Sequence, residues 1–509
     1  MVVAWQTRST ASQLTIEQSP ENRMIGCGVR KLTIVVSVLL ISVPVVIAQS
    51  GATVDNLPDV AAGTVNQALA PFEKQNPYLG GVPEGRAVPG VLPVSLPEAV
   101  QRGLKQNLGV LLSTDTLESA RGGRWQALSA LLPSAGTETS LNAHQLDLKA
   151  TIGLQIPGVP PVIGPFGVFD TRAYVSQSVF DWQSIEGARS SGEELKAAQF
   201  SYRNARELVV LAVASSYLLA IADEARVTSA AAQRDTAKAL YKQTADQHEA
   251  GVAAAVDVLR SAVELQQRQQ ELIVAQNNLS KQKLVVARVI GLPAGQAFHL
   301  ATEIAYEPLA TMSLDQALQG AYLHRPDYQS AITELRAAEL ERKAAAAERY
   351  PSVSVEVNYG DIGVTPATSH GTVNAAGVLT VPIFEGGKIH GDVLEANAVV
   401  RRANERLADL RAQIDQDVRD AFFDLDASSA RVSVEKSAIK LANETLQQSR
   451  DRFASGVTDN IEVVQAQDSL AAVDDAYIAS LYSYNIAKIS LARAIGVAES
   501  DYALYLKGQ

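Results

Sequence analysis

The feature that most constrains this chain is an internal duplication, in which one glycine interrupts each of two long helical patterns. The segment Arg452 to Gln467, RFASGVTDNIEVVQAQ, has a degenerate earlier copy at Gln247 to Ala262, QHEAGVAAAVDVLRSA. The aligned pairs include Gly251 with Gly456, Val252 with Val457 and Asp257 with Glu462. The sequence therefore predicts two similar halves, in which the glycines mark matching turns.

Proline is absent from two long stretches, Phe166 to Leu292 and Ile383 to Gln509, and both are rich in good helix formers. Each stretch predicts one helical hairpin that folds back at its glycine. In the first hairpin the arms are expected at 186–250 and 252–290, or about 97 Å and about 58 Å at 1.5 Å per residue. Helices of this length require coiled-coil or bundle partners.

The hydrophobic period changes from helical to two after Pro133 and after Pro351. Apolar residues alternate with polar ones from Val353 to Tyr359 and again from Val373 to Ile383, on either side of a loop at 361–370. The first half is weaker, with strands expected at 137–146 and 172–180 and a proline-rich loop at 156–167. Alternating segments of about ten residues are typical of transmembrane barrel strands. Four strands cannot close a barrel, so the pattern predicts a homo-oligomer, and a trimer supplies twelve strands.

The N-terminus has the pattern of an export signal. Arg30 and Lys31 precede an apolar run from Leu32 to Ile47, and Met24 is an alternative start. We expect a leader at 1–48, a Pro/Gly-rich extended arm at 49–90, a first structural repeat at 91–296, a connector at 297–312 and a second repeat at 313–509.

Charge and residue types exclude several functions. The net charge is −11 without a dense Lys/Arg cluster, which disfavours nucleic acid as a partner. Cys27, the only cysteine, lies in the predicted leader, which leaves neither a disulfide framework nor a thiol nucleophile. The six histidines form no i, i+4 pair, and no GxSxG elbow is present. We therefore predict no catalytic residue, no metal site, no cofactor and no enzymatic activity.

Several short motifs occur in a fixed order, and two kinds of them are present in both halves. The helix openings SLPEAV and SLDQAL and the switches LLPS and RYPS are such pairs, whereas HRPD at His324 to Asp327 and VPIFEGGK at Val381 to Lys388 stand in the second half. With the two glycine-centred stretches, they make the chain resemble the TolC-type outer-membrane efflux and secretion channels, the outer membrane factors, over roughly Leu92 to Val497.

The resemblance implies a mainly α fold with a β-barrel part. It also implies a homotrimer in which a 12-strand barrel in the lipid of a Gram-negative type outer membrane continues as a 12-helix periplasmic tunnel. Such a channel is a passive conduit of a tripartite efflux or secretion system, working with a periplasmic adaptor protein and an inner-membrane pump. The alternative is an exported coiled-coil structural or adhesive protein, which explains the helices but not the period-two segments.

The candidate functional residues lie around the two glycines. In a threefold assembly Asp257, Asp459 and Glu462 would each form a ring of three carboxylates at the periplasmic constriction and attract cations. Alternatively they are solvated carboxylates on exposed helix faces. The hairpin tips are predicted to dock the adaptor or to be purely structural turns, and their residues are Gly251, Val252, Gly456 and Val457. The resemblance implies an entrance latch at positions that here are Phe453 and Thr458, so a different latch is expected.

Overall fold

The computed structural model of the chain describes residues 76–153, 157–302, 306–309 and 312–507. The predicted leader at 1–48, the alternative start at Met24 and the arm as far as residue 75 lie outside these ranges. The predicted domain boundaries stay predictions.

The first half begins with a short strand and two helices, followed by two long strands and a helical hairpin. Its elements are β1 (Leu92–Val94), α1 (Leu96–Gln106), α2 (Leu108–Ser129), β2 (Ser134–Asp147), the short α3 (Leu148–Ile152), β3 (Val162–Phe180), α4 (Trp182–Glu249) and α5 (Ala255–Val289).

The second half repeats this order, apart from α3, which it lacks, and a final helix, which it adds. Its elements are β4 (Phe298–Leu300), α6 (Leu314–His324), α7 (Pro326–Ala347), β5 (Ser352–Gly363), β6 (His370–Thr380), α8 (Lys388–Ala454), α9 (Asn460–Ile495) and a final helix α10 (Ala498–Lys507). The duplication predicted from the sequence is therefore visible element by element.

Matching caps start the first helix of each half. Ser95 and Glu98 form a capping box at α1, and Ser313 and Gln316 form one at α6. In such a box the serine side chain and the residue at the third helical position satisfy each other's backbone N–H groups. The SLPE and SLDQ openings therefore specify where these helices begin.

Corresponding arms of the two helical hairpins have nearly equal lengths. The outgoing helices α4 and α8 have 68 and 67 residues, and the return helices α5 and α9 have 35 and 36. Helix α4 contains a stretch long and apolar enough to cross a membrane, but 56% of that stretch is buried inside the protein. Its residues Val209, Val213 and Tyr217 belong to the main hydrophobic core, so we assign it as a core helix.

The four long strands form one antiparallel sheet in the order β2-β3-β5-β6. The strand ends differ from the prediction. Strand β3 already begins at Val162, inside the predicted 156–167 loop, and β5 continues to Gly363, inside the predicted 361–370 loop. These two strands extend into the predicted loops because a neighbouring strand pairs with them there. Val162 lies opposite Asp147, and Gly363 lies opposite Phe169. Strand β6 ends at Thr380, before the predicted end at Ile383.

The sheet has one apolar and one polar face, because directly paired residues project to the same side. On the apolar face Ala135 lies opposite Val175, Val175 opposite Val357, and Val357 opposite Ala375. On the polar face Arg172 forms an ion pair of 2.7 Å with Asp170 and donates a hydrogen bond of 2.9 Å to Asn358. Most residues on both faces are exposed in the single chain.

Buried polar side chains fasten the segments before α1 and after β4 to the helices. Asn107, which is fully buried, donates through Nδ2 to the carbonyls of Tyr78 (2.7 Å) and Val289 (3.2 Å) and accepts from the N–H of Gly109 (2.9 Å). Lys488 on α9, also fully buried, donates to the carbonyl of Glu307 in the connector at 2.8 Å. These bonds tie segments that are distant in sequence to the ends of the return helices α5 and α9 that lie away from the glycine turns.

Candidate functional site

The first hairpin turns at Gly251. The N–H of Val252 donates to the carbonyl of Gln247 at 2.9 Å, and the N–H of Gly251 donates to the carbonyl of His248 at 2.9 Å. These two bonds form a Schellman motif, which requires a left-handed residue directly after the helix cap. Gly251 has a φ of +75° and supplies that conformation.

The second hairpin turns in the same way at Gly456. Val457 donates to the carbonyl of Arg452 at 3.0 Å, Gly456 donates to that of Phe453 at 3.0 Å, and Gly456 has a φ of +67°. A Cβ built on either glycine meets no atom within 4 Å. Glycine is therefore required at both tips for its backbone conformation and not for space.

Apolar side chains project from the tips. Val252 and Val457, the residues after the two glycines, are 79% and 69% exposed. Val256 and Leu259, in the first turns of α5, are also exposed. In many Schellman motifs the residue at the valine position packs back on its helix, whereas these valines face outward. An exposed apolar tip is a feature of surfaces that contact another molecule.

The three predicted carboxylates lie at the start of the return helices. Asp257 and Glu462 occupy the same position in the first turn of α5 and of α9. Asp459 is the N-cap of α9 and accepts a hydrogen bond of 3.1 Å from the N–H of Ile461. The aligned residue of the first hairpin, Ala254, has no capping side chain, so this role of Asp459 is confined to the second half.

Two of these carboxylates have arginine partners that the sequence reasoning did not identify. Arg260 forms an ion pair of 3.0 Å with Asp257 and donates a hydrogen bond of 2.8 Å to Asn460. Asn460 in turn donates to the backbone carbonyl of Asp257 at 2.9 Å. Together Arg260 and Asn460 link the two hairpins at the tip. The carboxylate of Glu462 lies 3.6 Å from the guanidinium of Arg452.

Phe453, at one of the implied latch positions, packs into a small core. It is buried with Leu240, Leu446, Val463 and Ala466, and this cluster joins α4 of the first hairpin to both helices of the second. Thr458 is half-buried in the turn. Near the tips, Arg260 and Asn460 provide a polar link between the two hairpins. Within the described residues, no group of three His, Cys, Asp or Glu side chains is arranged to hold a metal ion.

At the opposite end of the hairpins, exposed apolar residues mark every switch between helix and strand. They lie before β2, at the end of β3, before β5 and after β6, and they are Leu132, Val179, Phe180, Tyr350, Ile383 and Phe384. The strand register places all four switches at one end of the sheet. Directly on the helical side, Glu348 pairs with Lys388 at 2.6 Å and accepts from Gln183 at 2.8 Å. An aromatic and apolar belt thus borders a charged zone, as occurs at a membrane–water interface.

Comparison with known proteins identifies a family model and curated relatives that all concern outer membrane proteins. The family model described as outer membrane efflux protein matches residues 101–292 and 317–497. Among curated proteins, the pyoverdine export outer membrane protein OpmQ of Pseudomonas aeruginosa is 23% identical over 64% of this chain and 70% of its own length. The toluene efflux pump outer membrane protein TtgC of Pseudomonas putida is 28% identical over 62% of this chain and 64% of its own length.

Solved structures share the fold. A membrane protein from Pseudomonas aeruginosa superposes with a TM-score of 0.70 at 18% identity, covering 82% of this chain and 95% of its own. The outer membrane protein VceC of Vibrio cholerae gives a TM-score of 0.67 at 18% identity, covering 79% and 96%. The CmeC outer membrane channel of Campylobacter jejuni gives 0.70 at 16% identity, covering 85% and 94%.

Proposed function

The chain belongs to the outer membrane efflux protein family, and from that premise we propose that it forms the outer-membrane channel of a tripartite efflux or secretion system. It is a passive conduit from periplasm to exterior. The energy comes from an inner-membrane pump, and a periplasmic adaptor protein joins the pump to the channel.

The observation that carries the proposal is an open sheet with an apolar face and no core of its own. Strands β2 and β6 are edge strands in the single chain, and both faces of the sheet are mostly exposed. Four strands are too few to close, whereas three copies supply twelve, which lies in the range of known membrane barrels. Closure removes the unpaired edges that lipid does not tolerate. The polar face, with Arg172 and Asp170, then lines the lumen.

The same trimer builds the periplasmic part. Each chain contributes four long helices, α4, α5, α8 and α9, so three chains supply twelve. At 1.5 Å per residue, a helix the length of α4 extends about 100 Å from the sheet. The apolar belt at the strand ends supports placing the periplasmic edge of the bilayer there.

The tips form the periplasmic mouth. The exposed Val252 and Val457, held by identical turns at Gly251 and Gly456, support adaptor docking at this surface. Photo-crosslinking groups placed at positions 252 and 457 in cells are expected to capture a periplasmic adaptor, identified by mass spectrometry. The same group at the exposed Leu141 on β2 is the control. An adaptor captured only from position 141 would contradict docking at the tips.

Asp257, Asp459 and Glu462 line the constriction in this proposal and attract cations. Arg260 and Arg452 offset part of the charge of Asp257 and Glu462, so the expected selectivity is moderate. In planar bilayers under a salt gradient, the double variant Asp257→Asn, Glu462→Gln should shift the reversal potential toward that of a non-selective pore. Glu118→Gln on α2, outside the hairpins, is the matched control. An unchanged reversal potential in the double variant would exclude the carboxylate rings of Asp257 and Glu462.

The decisive test of the function is fractionation combined with conductance. The channel predicts a trimer that is extracted from the outer membrane, contains β-structure and conducts ions in a planar bilayer. The alternative, an exported coiled-coil fibre, predicts a soluble rod without a strand signal. The relatives are named for pyoverdine export and toluene efflux, so the cargo is best identified through the pump that copurifies with the channel.

A further inference from the structure

Two adjoining cavities lie between the helical hairpins, further from the glycine turns than the core around Phe453. One, of about 860 Å³, is bounded mainly by α4, α8 and α9, with Arg268 of α5 and Leu300 of β4, and the other, of about 560 Å³, is bounded by α4, α5 and α9. Ser229, Gln233 and Arg268 line both, so the cavities adjoin at these residues. The hairpins meet again below them, in the core around Phe453. The larger cavity has the size of a small-molecule site.

One polar side chain at the larger cavity has no partner. Gln467 on α9 is only 6% exposed and lines the cavity, and neither its Oε1 nor its Nε2 has a hydrogen bond in the described part of the protein. Leaving a buried polar group unpaired costs about 1–3 kcal/mol. The aligned position in the first hairpin is Ala262, which has no polar side chain. The unpaired amide is therefore a feature of this cavity and not of the repeat.

The larger cavity is lined by two carboxylates and two arginines, but one of the arginines is already neutralised by other carboxylates. Arg268, almost fully buried, is paired with three carboxylates: Glu264 at 2.6 Å, Glu271 at 2.8 Å, and Asp468. Two further carboxylates, Glu224 and Asp474, line the cavity, and none of the described ion pairs includes either of them. Asp474 accepts a single hydrogen bond, of 3.1 Å, from Ser229. Arg450 is the other cation in the lining. The surplus of negative charge favours a cationic occupant.

Part of the remaining lining is apolar. Ile221, Leu446, Leu470 and Ile478 provide aliphatic surface, and Tyr477 adds an aromatic ring. An occupant with a hydrocarbon or aromatic body would bury that body here. Its N–H groups would donate to Gln467 Oε1 and its positive charge would face Asp474.

We propose that this cavity binds a small organic cation that carries N–H donors on an apolar body. The site is distinct from the tips, since at 1.5 Å per residue Asp474 lies about 21 Å along α9 from its first residue. Binding at this site is separate from conduction and depends on the chemistry of one cavity between the helices of the two hairpins.

The test uses the full-length protein purified in detergent, with ethidium as the probe, because ethidium is an aromatic cation with amine donors that fluoresces more strongly when shielded from water. Fluorescein, an anion of similar size, is the ligand control. Gln467→Leu removes the unpaired amide and keeps most of the volume, and Asp474→Asn removes the charge and keeps the shape. Asp409→Asn, at an exposed carboxylate on α8, is the control variant.

We expect saturable binding of one ethidium per chain, at least 10-fold weaker in Gln467→Leu and in Asp474→Asn and unchanged in Asp409→Asn. Equal binding of fluorescein, or unchanged affinity in both cavity variants, would overturn the proposal and leave a water-filled cavity. Loss of binding only in the tip variant Asp257→Asn, Glu462→Gln would assign the cation to the mouth instead. Conductance measured on the same preparations reports separately on the channel, and circular dichroism verifies that each variant is folded.

Discussion

Replacing glycine by alanine should have opposite effects on stability at two exposed positions, one in a left-handed tip turn and one inside a regular helix. Gly456 has a φ of +67°, and a Cβ at this position meets no atom within 4 Å, so Gly456→Ala adds backbone strain without a steric clash. The left-handed conformation costs an L-residue about 1–2 kcal/mol. Gly122, in the interior of α2, is also exposed with open space at its Cβ, but it lies in a regular helix. Gly122→Ala should therefore stabilise its helix by about 0.5–1 kcal/mol.

Hydrogen exchange followed by mass spectrometry measures both effects locally. The N–H groups of residues 456 and 457 close the tip turn through bonds to Phe453 and Arg452. A cost of about 1–2 kcal/mol accelerates their exchange by roughly 5- to 30-fold, because 1.4 kcal/mol corresponds to a factor of ten. Gly456→Asn should cost less, since asparagine tolerates the left-handed region better than alanine.

Two results would refute this reasoning. One is unchanged exchange at the tip in Gly456→Ala, and the other is slower exchange there together with slower exchange around Gly122→Ala. The first would mean that the tip does not depend on its left-handed residue. The second would mean that the two sites respond to helix propensity alone.

Three further predictions concern buried side chains. Phe453→Ala, which leaves a cavity beside the fully buried Val463, should destabilise the tip by about 3–5 kcal/mol, measured by denaturant unfolding. Asn107→Ala should cost about 1–3 kcal/mol, because the carbonyl of Tyr78 loses its donor; thermal unfolding measures it. Burial lowers the pKa of Lys488 from 10.5 to about 8, so the folded state favours the neutral amine, and stability should rise between pH 8 and pH 10.5. Lys488→Met should remove that rise, and an identical pH profile in the variant would contradict the assignment.

The tip turns, the helix starts and the long hairpins could be predicted from the sequence because each depends on a few neighbouring residues. Gly251 and Gly456 specify a left-handed residue, Ser95 and Ser313 specify capping boxes, and the absence of proline permits uninterrupted helices. The switch to strand after the prolines is equally local. These features required no knowledge of which segments pack together.

The strand ends were harder to predict because pairing decides them. Strand β3 extends back to Val162 through its register with β2, although the sequence there is rich in glycine and proline. Alternation indicated which residues share a face, but it did not indicate where a neighbouring strand stops providing hydrogen bonds.

By itself the sequence determined the duplication, the helical hairpins, the two tip turns and the alternation of the strands, since these follow from local backbone preferences and hydrophobic periodicity. Only the tertiary structure decided that Asn460 contacts Asp257 and Arg260, and that Gln467 lies unpaired beside a cavity. The reason is that these contacts join residues of different helices. Their distances are set by how the two hairpins pack, which no short stretch of sequence specifies.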